Sequence, residues 1–261
     1  MEDAIMSENN RVQYNLSGLK NLGLTENLLF KIADNQYIEA IQLDDDLTKV
    51  VVHLKDGVHY IDKGSDIDSF VKQIFFNLVA KTDADIVCPN WYIEGIFENG
   101  KFEVTEHMDF REEETVFRSY SAEGIYDTVV NSPTAIHKHA VLYERIFGVL
   151  QNENPVVQFM TLYQILLEET IRLAGGKSRG QSNIVNYLKV HESKYPFIQF
   201  QPSRDSRKKD RDEDTFTYIR NEIGHCEETN DFIAYKQAGQ KITNALIKNI
   251  LIVLNDVIME L

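Results

Sequence analysis

An acidic α+β domain followed by an all-α, up-and-down helical bundle is the fold class that these 261 residues predict. Three observations predict it. In the first 120 positions, apolar residues fall in short alternating runs separated by turn signals. From about position 136 they recur at helical spacing over long segments. The net charge of −14 lies wholly in one half: residues 1–130 hold 25 acidic and 11 basic side chains, and residues 131–261 hold 16 of each. Two domains, 1–130 and 131–261, follow, with the boundary in a polar stretch that contains Arg111-Glu112-Glu113-Glu114 and Ser132-Pro133.

In the first half, Leu24 to Ala33 reads as a short helix and Tyr37 to Leu43 as a strand. Asp44-Asp45-Asp46 makes a turn into the β-branched run Lys49 to Leu54. Lys55-Asp56-Gly57 turns again, and Val58 to Ile61 reads as the next strand of a meander. Phe70, Val71, Ile74, Phe75 and Leu78 set a helix over 66–80. Asp85 to Cys88 and Trp91 to Phe97 read as strands. Asn99-Gly100 is a two-residue hairpin signal before Phe102 to His107. Trp91, Tyr92 and Phe97 are read as core.

In the second half, helices are expected over His137–Leu150 and from Pro155 to Ala174, the latter closed by Gly175-Gly176. Another covers Ser182 to about His191, with Ser182 as its cap. A polar stretch, Glu192 to Asp210, precedes a helix from about Asp212 to His225. One last helix runs from about Asp231 to the end, with Leu246, Ile250, Leu254, Val257 and Leu261 on a stripe widened by Ile247, Val253 and Ile258.

Composition excludes several classes. With 43% hydrophobic and 26% charged residues, the chain has the material for globular cores. Cys88 and Cys226 are too few for a disulfide framework or a four-thiolate zinc site, and fit a cytoplasmic location. The first residues lack a signal peptide's basic and apolar regions, and no 18-residue uncharged apolar run predicts a membrane span. Neither metal nor cofactor is expected. The acidic first half argues against a protein that coats duplexes, and offers a surface for a basic protein partner.

Chemistry concentrates in Tyr218-Ile219-Arg220-Asn221-Glu222-Ile223-Gly224-His225. An Arg with His five positions on arises by chance about 0.27 times in this composition, and with Asn directly after the Arg about 0.02 times. Arg220 offers a permanent charge and forked donors to phosphate oxygens. His225 can take or give a proton near neutral pH. Asn221 can bond phosphate or orient the His. Five residues span about 140° of an ideal helix, so Arg220 and His225 do not share a face. Either the helix ends or distorts at Gly224, or a second chain completes the site. The structural alternative pairs Arg220 with Glu222, Asp214 or a neighbouring helix and leaves His225 as a C-terminal cation.

This segment resembles the R-x(4–6)-H motif of the HEPN superfamily, and residues 136–261 resemble a HEPN bundle in helix order and motif position. The N-terminal 120 or so residues lie outside the resemblance. It implies a metal-independent endoribonuclease, active as a homodimer, in antiviral defence or toxin-type growth arrest. Arg220 would clamp phosphate, Asn221 would orient, and His225 would be the general acid/base in attack by the RNA 2′-hydroxyl. Some members have lost catalysis, so a dimerising interaction module and a phosphate- or nucleotide-binding sensor stand as alternatives. One subtype carries a Tyr two positions after the His, where this chain has Glu227.

Arg204, Arg207, Lys208, Lys209 and Arg211 form a basic cluster just before the motif helix, diluted by Asp205, Asp210 and Asp212. It reads equally as an RNA-backbone guide and as a solvated loop. Other signals are weaker. Gly176-Lys177-Ser178 imitates a phosphate loop but follows a helix. His137 and His139 lack a third ligand. Glu168 and Arg172 are an (i, i+4) ion pair, with Glu168 or Glu169 a candidate at the cleft. Cys226 beside His225 points away from it on a helix.

Overall fold

The computed structural model describes residues 10–20, 27–44, 49–81, 85–98, 101–104, 138–176, 180–203 and 212–261. The chain divides into two compact units, Met1–His137 and Lys138–Leu261. Asp45, Asp46, Asn99, Gly100, the polar stretch from 105 to 137 and the basic cluster from Arg204 to Arg211 lie outside the described residues.

The first unit holds strands β1 (Arg11–Lys20), β2 (Leu28–Lys31), β3 (Ile38–Leu43) and β4 (Lys49–Leu54). Helix α1 (Tyr60–Lys81) and strands β5 (Asp85–Glu98) and β6 (Lys101–Val104) follow. The six strands make one antiparallel sheet in the order β2-β3-β4-β1-β5-β6. One face of the sheet buries Val12, Tyr14, Ile41, Leu43, Val50 and Val52. Helix α1 packs on β1 and β5 and buries Ile67, Val71, Ile74, Phe75 and Leu78, at the spacing expected of a helix face. Asp68 of α1 accepts hydrogen bonds from the hydroxyls of Tyr14 (2.8 Å) and Tyr60 (2.9 Å), which satisfies a phenol buried at the sheet centre.

Three local expectations are corrected here. Leu28–Lys31 is a strand, not part of a helix: it alternates buried and exposed and pairs with β3, so edge pairing overrides its weak helical pattern. Val58–Ile61 is not a strand, because α1 already begins at Tyr60. A Cβ at Gly64 would meet the Tyr60 ring at 3.0 Å, so the glycine makes room for the ring in the first turn. Asp85–Phe97 is one strand rather than two. Pro89 sits where the β1–β5 ladder shifts register between Ser17 and Leu19, an irregularity that tolerates a residue without an N–H.

The second unit contains α2 (Ala140–Leu150), α3 (Pro155–Leu173), α4 (Ser182–Val190) and a 3₁₀ turn (Glu192–Lys194). After it come β7 (Phe200–Pro202), β8 (Asp212–Asp214), α5 (Thr215–Thr229), α6 (Phe232–Gly239) and α7 (Asn244–Met259). Its core is the α3–α7 pair, built on Phe159, Leu162, Ile165 and Leu166 against Ile250, Leu251, Leu254 and Val257, with α2, α4 and α5 also on α3. Asn154 caps α3 ahead of Pro155, accepting from the Val156 amide at 2.9 Å. Gly175 and Gly176, at φ 75° and 71°, end it in the left-handed region.

Three expectations change in this unit. It is not all-α, because β7 and β8 pair as an antiparallel ribbon just before α5. The chain is therefore mixed α+β in both halves. Ser182 does not cap α4; Gln181 occupies that position and makes no capping side-chain bond. The last helix is two, α6 and α7, bent by 69°. Thr243 caps α7 afresh through the Leu246 amide (3.2 Å), and the stripe residues Leu246, Ile250, Leu254 and Val257 are all buried. No single helix among the described residues is long and apolar enough to cross a membrane.

The buried Tyr143 hydroxyl donates to Asn255 Oδ1 at 2.7 Å, which ties α2 to α7. Tyr143→Phe should lower the unfolding free energy by about 1–3 kcal/mol, because it orphans a buried acceptor. Urea denaturation followed by circular dichroism measures this directly.

Candidate functional site

The residues of interest sit on α5, and a buried carboxylate determines where that helix starts. Asp214 is fully buried. Its Oδ1 accepts from the amides of Phe216 (2.8 Å) and Thr217 (3.1 Å), and its Oδ2 from the Thr217 hydroxyl at 2.6 Å. That hydroxyl also meets the Tyr163 hydroxyl of α3 at 3.1 Å. The cap therefore sets both the first turn of α5 and its rotation against α3. Burial raises the Asp214 carboxyl above its ordinary range, against the pull of its donors. Burial likewise raises the Tyr163 phenol, which stays protonated; the nearby Arg220 works against that rise.

Helix α5 runs unbroken through Gly224 to Thr229, where Asn230, at φ 54°, ends it in the left-handed region. Of the two alternatives the sequence leaves, a helix that ends or distorts at Gly224 is thus corrected. A Cβ on Gly224 would lie 3.5 Å from Arg220 Nη1, so the guanidinium rests along the helix over the bare backbone.

Arg220 is half-buried, and its Nη1 donates to Asn221 Oδ1 at 3.1 Å. Neither Glu222 nor Asp214 is its partner. Glu222 instead accepts from Lys241 at 2.6 Å, and among the described residues no carboxylate forms an ion pair with Arg220. Asn221 is the junction of a polar network. Its Oδ1 accepts from Gln181 Nε2 at 2.9 Å, and its Nδ2 donates to Glu213 Oε1 at 3.1 Å and more loosely to Gln181 Oε1 at 3.4 Å. Ser203 Oγ donates to the same Glu213 oxygen at 2.8 Å. Glu213 is buried on β8, and its Oε2 has no hydrogen-bond partner among the described residues.

His225 lies on the exposed side of α5, and its imidazole has no hydrogen-bond or ion-pair partner among the described residues. Cys226 is buried and points away from it. Arg220 and Asn221 are therefore brought together by direct contact, and His225 follows on the next turn, turned to solvent. One helix supplies a braced cation and an exposed imidazole.

Other candidates are placed differently. Glu168 pairs not with Arg172 but with Arg145 of α2 at 2.6 Å, a bond that lowers its carboxyl below the ordinary range. Arg172 turns to Glu169 at 3.1 Å, whose carboxyl burial raises. Glu168 thus ties α3 to α2, and Glu169 pairs within α3. His139 stands at the start of α2, where burial lowers its basicity. His137, Lys177 and Ser178 lie outside the described residues.

Sequence reasoning missed Gln181, Ser203 and Glu213. Gln181 and Glu213 stand 40 and 8 residues from Asn221, and no local periodicity marks them. Asp214 carried a signal, since an Asp directly before Thr-Phe-Thr is a cap pattern. Comparison of the chain with family models, curated proteins and solved structures found no match.

The packing of Arg220 over Gly224 makes a graded prediction. Gly224→Ala should raise stability by about 0.5–1 kcal/mol, since the helix gains a better former and the new methyl only touches the guanidinium. Gly224→Val should push Arg220 out of this position. Thermal melts of both variants, with Arg220 located in a crystal of the Val variant, check it.

Proposed function

We propose that the second unit is a HEPN-type, metal-independent endoribonuclease that works as a homodimer. The observation that carries this reading is the state of Arg220. Its guanidinium is held by a neutral amide, no carboxylate among the described residues pairs with it, and an exposed imidazole follows on the same helix. A cation so held is oriented yet still attractive to a phosphodiester.

In the proposed reaction, the 2′-hydroxyl of one nucleotide attacks the adjacent phosphorus. His225 of one copy takes the hydroxyl proton, and His225 of the other protonates the departing 5′-oxygen. Arg220 stabilises charge on the non-bridging oxygens as they become more negative. Asn221 holds Arg220, which differs from the sequence-based expectation that it bonds phosphate or orients His225. The basic residues Arg204, Arg207, Lys208, Lys209 and Arg211 would guide the RNA backbone, and the acidic first unit would engage a protein partner or restrain the nuclease. Antiviral defence or growth arrest is the setting such an activity suits.

The test is incubation of the full chain with single-stranded RNA and tRNA in excess EDTA. Wild type should cleave, while Arg220→Ala and His225→Ala should each lose about a hundredfold or more in rate with the oligomeric state unchanged. Full activity in His225→Ala would sink the acid/base assignment. Loss in EDTA that added metal restores would sink metal independence.

A further inference from the structure

The charges at the two ends of the Asn221 network dictate how it is oriented. A carboxylate only accepts hydrogen bonds and a guanidinium only donates them. Asn221 stands between the two, with Nδ2 toward Glu213 and Oδ1 toward Arg220. Turned over, it would set donor against donor at Arg220 and acceptor against acceptor at Glu213. Gln181 matches either orientation by turning with Asn221, so it steadies the junction without choosing its direction. Glu213 is itself fixed, being 7% exposed, bonded by Ser203, and carried by the strand that leads directly into α5.

From this we infer that Glu213 is a positioning residue for Arg220, acting through the Asn221 amide; the inference rests on the ribonuclease reading for its kinetic consequence. The intervening amide explains why a carboxylate so close does not defeat the site. A direct ion pair would occupy the face of the guanidinium that a phosphate needs. The relay transmits orientation and leaves most of the five N–H donors of Arg220 uncommitted among the described residues.

The experiment is a double-mutant cycle in the full-length protein, read on RNA cleavage. Glu213→Ala should lower kcat about tenfold with KM within about threefold, the scale of one hydrogen bond to a charged group. In an Asn221→Ala background the same change should cost less than about twofold, because the relay is already cut. A merely structural role for Glu213 would cost the same in both backgrounds, and that result overturns the inference. Should Glu213→Ala fail to fold, Glu213→Gln keeps the size and one acceptor; its expected loss is about threefold, again only with Asn221 present. No loss in the folded Gln variant also overturns it.

A second readout does not depend on cleavage. The Asn221 side-chain amide protons should exchange with water at least about threefold faster in Glu213→Gln than in wild type. Equal exchange rates contradict the positioning role. A wild type that cleaves no RNA but shows the exchange difference refutes the ribonuclease reading and leaves the relay standing.

Discussion

The placement of Arg220, Asn221 and His225 depends on the buried carboxylate of Asp214. It starts α5, and through Thr217 and Tyr163 it also fixes how α5 is turned against α3. A one-residue slip of α5 in register at this anchor would rotate it by about 100° and carry Arg220, Asn221 and His225 to other faces. Its neighbour Glu213 takes a different part: Asp214 caps the helix, and Glu213 accepts a hydrogen bond from Asn221 one turn and more along it. Lys189 of α4 pairs with Asp212, so the consecutive acids Asp212, Glu213 and Asp214 anchor the ribbon to α4, the motif and the helix start in turn.

How much of this was legible in the sequence depends on the range of the interaction. Long amphipathic runs were: α1, α3 and α7 bury the residues their periodicity marks, and Asn154-Pro155 and Gly175-Gly176 bracket α3 as end signals should. Short segments were not. Leu28–Lys31 is too brief for its period to be decided and takes its form from β3. Strand β1, where Arg11-Val12-Gln13-Tyr14-Asn15-Leu16 alternates strictly, is outside the elements the sequence analysis assigns; it lies at the sheet interior, between β4 and β5. The break between α6 and α7 was written in Gly239 and Thr243 but masked by apolar residues on both sides.

The site divides the same way. Arg220, Asn221 and His225 were legible as a motif because their spacing is local. Gly224 offers a helix end or distortion as one of two alternatives, since glycine is a poor helix former, whereas α5 runs unbroken through it. The braces Gln181, Ser203 and Glu213 come from α4's start, the ribbon and its strand, and only tertiary structure joins them. The ion pairs on α3 show the limit of helix-spacing rules: Arg145 of α2 captures Glu168, and Arg172 turns to Glu169.

The central claim is that Arg220 and His225 promote attack by a 2′-hydroxyl. The most direct measurement uses a DNA oligonucleotide with a single ribonucleotide and identifies the product ends by mass spectrometry. The account predicts cleavage only after the ribonucleotide, with a 2′,3′-cyclic phosphate on one fragment and a 5′-hydroxyl on the other. Cleavage of an all-deoxy control, or products ending in 3′-hydroxyl and 5′-phosphate, would contradict it.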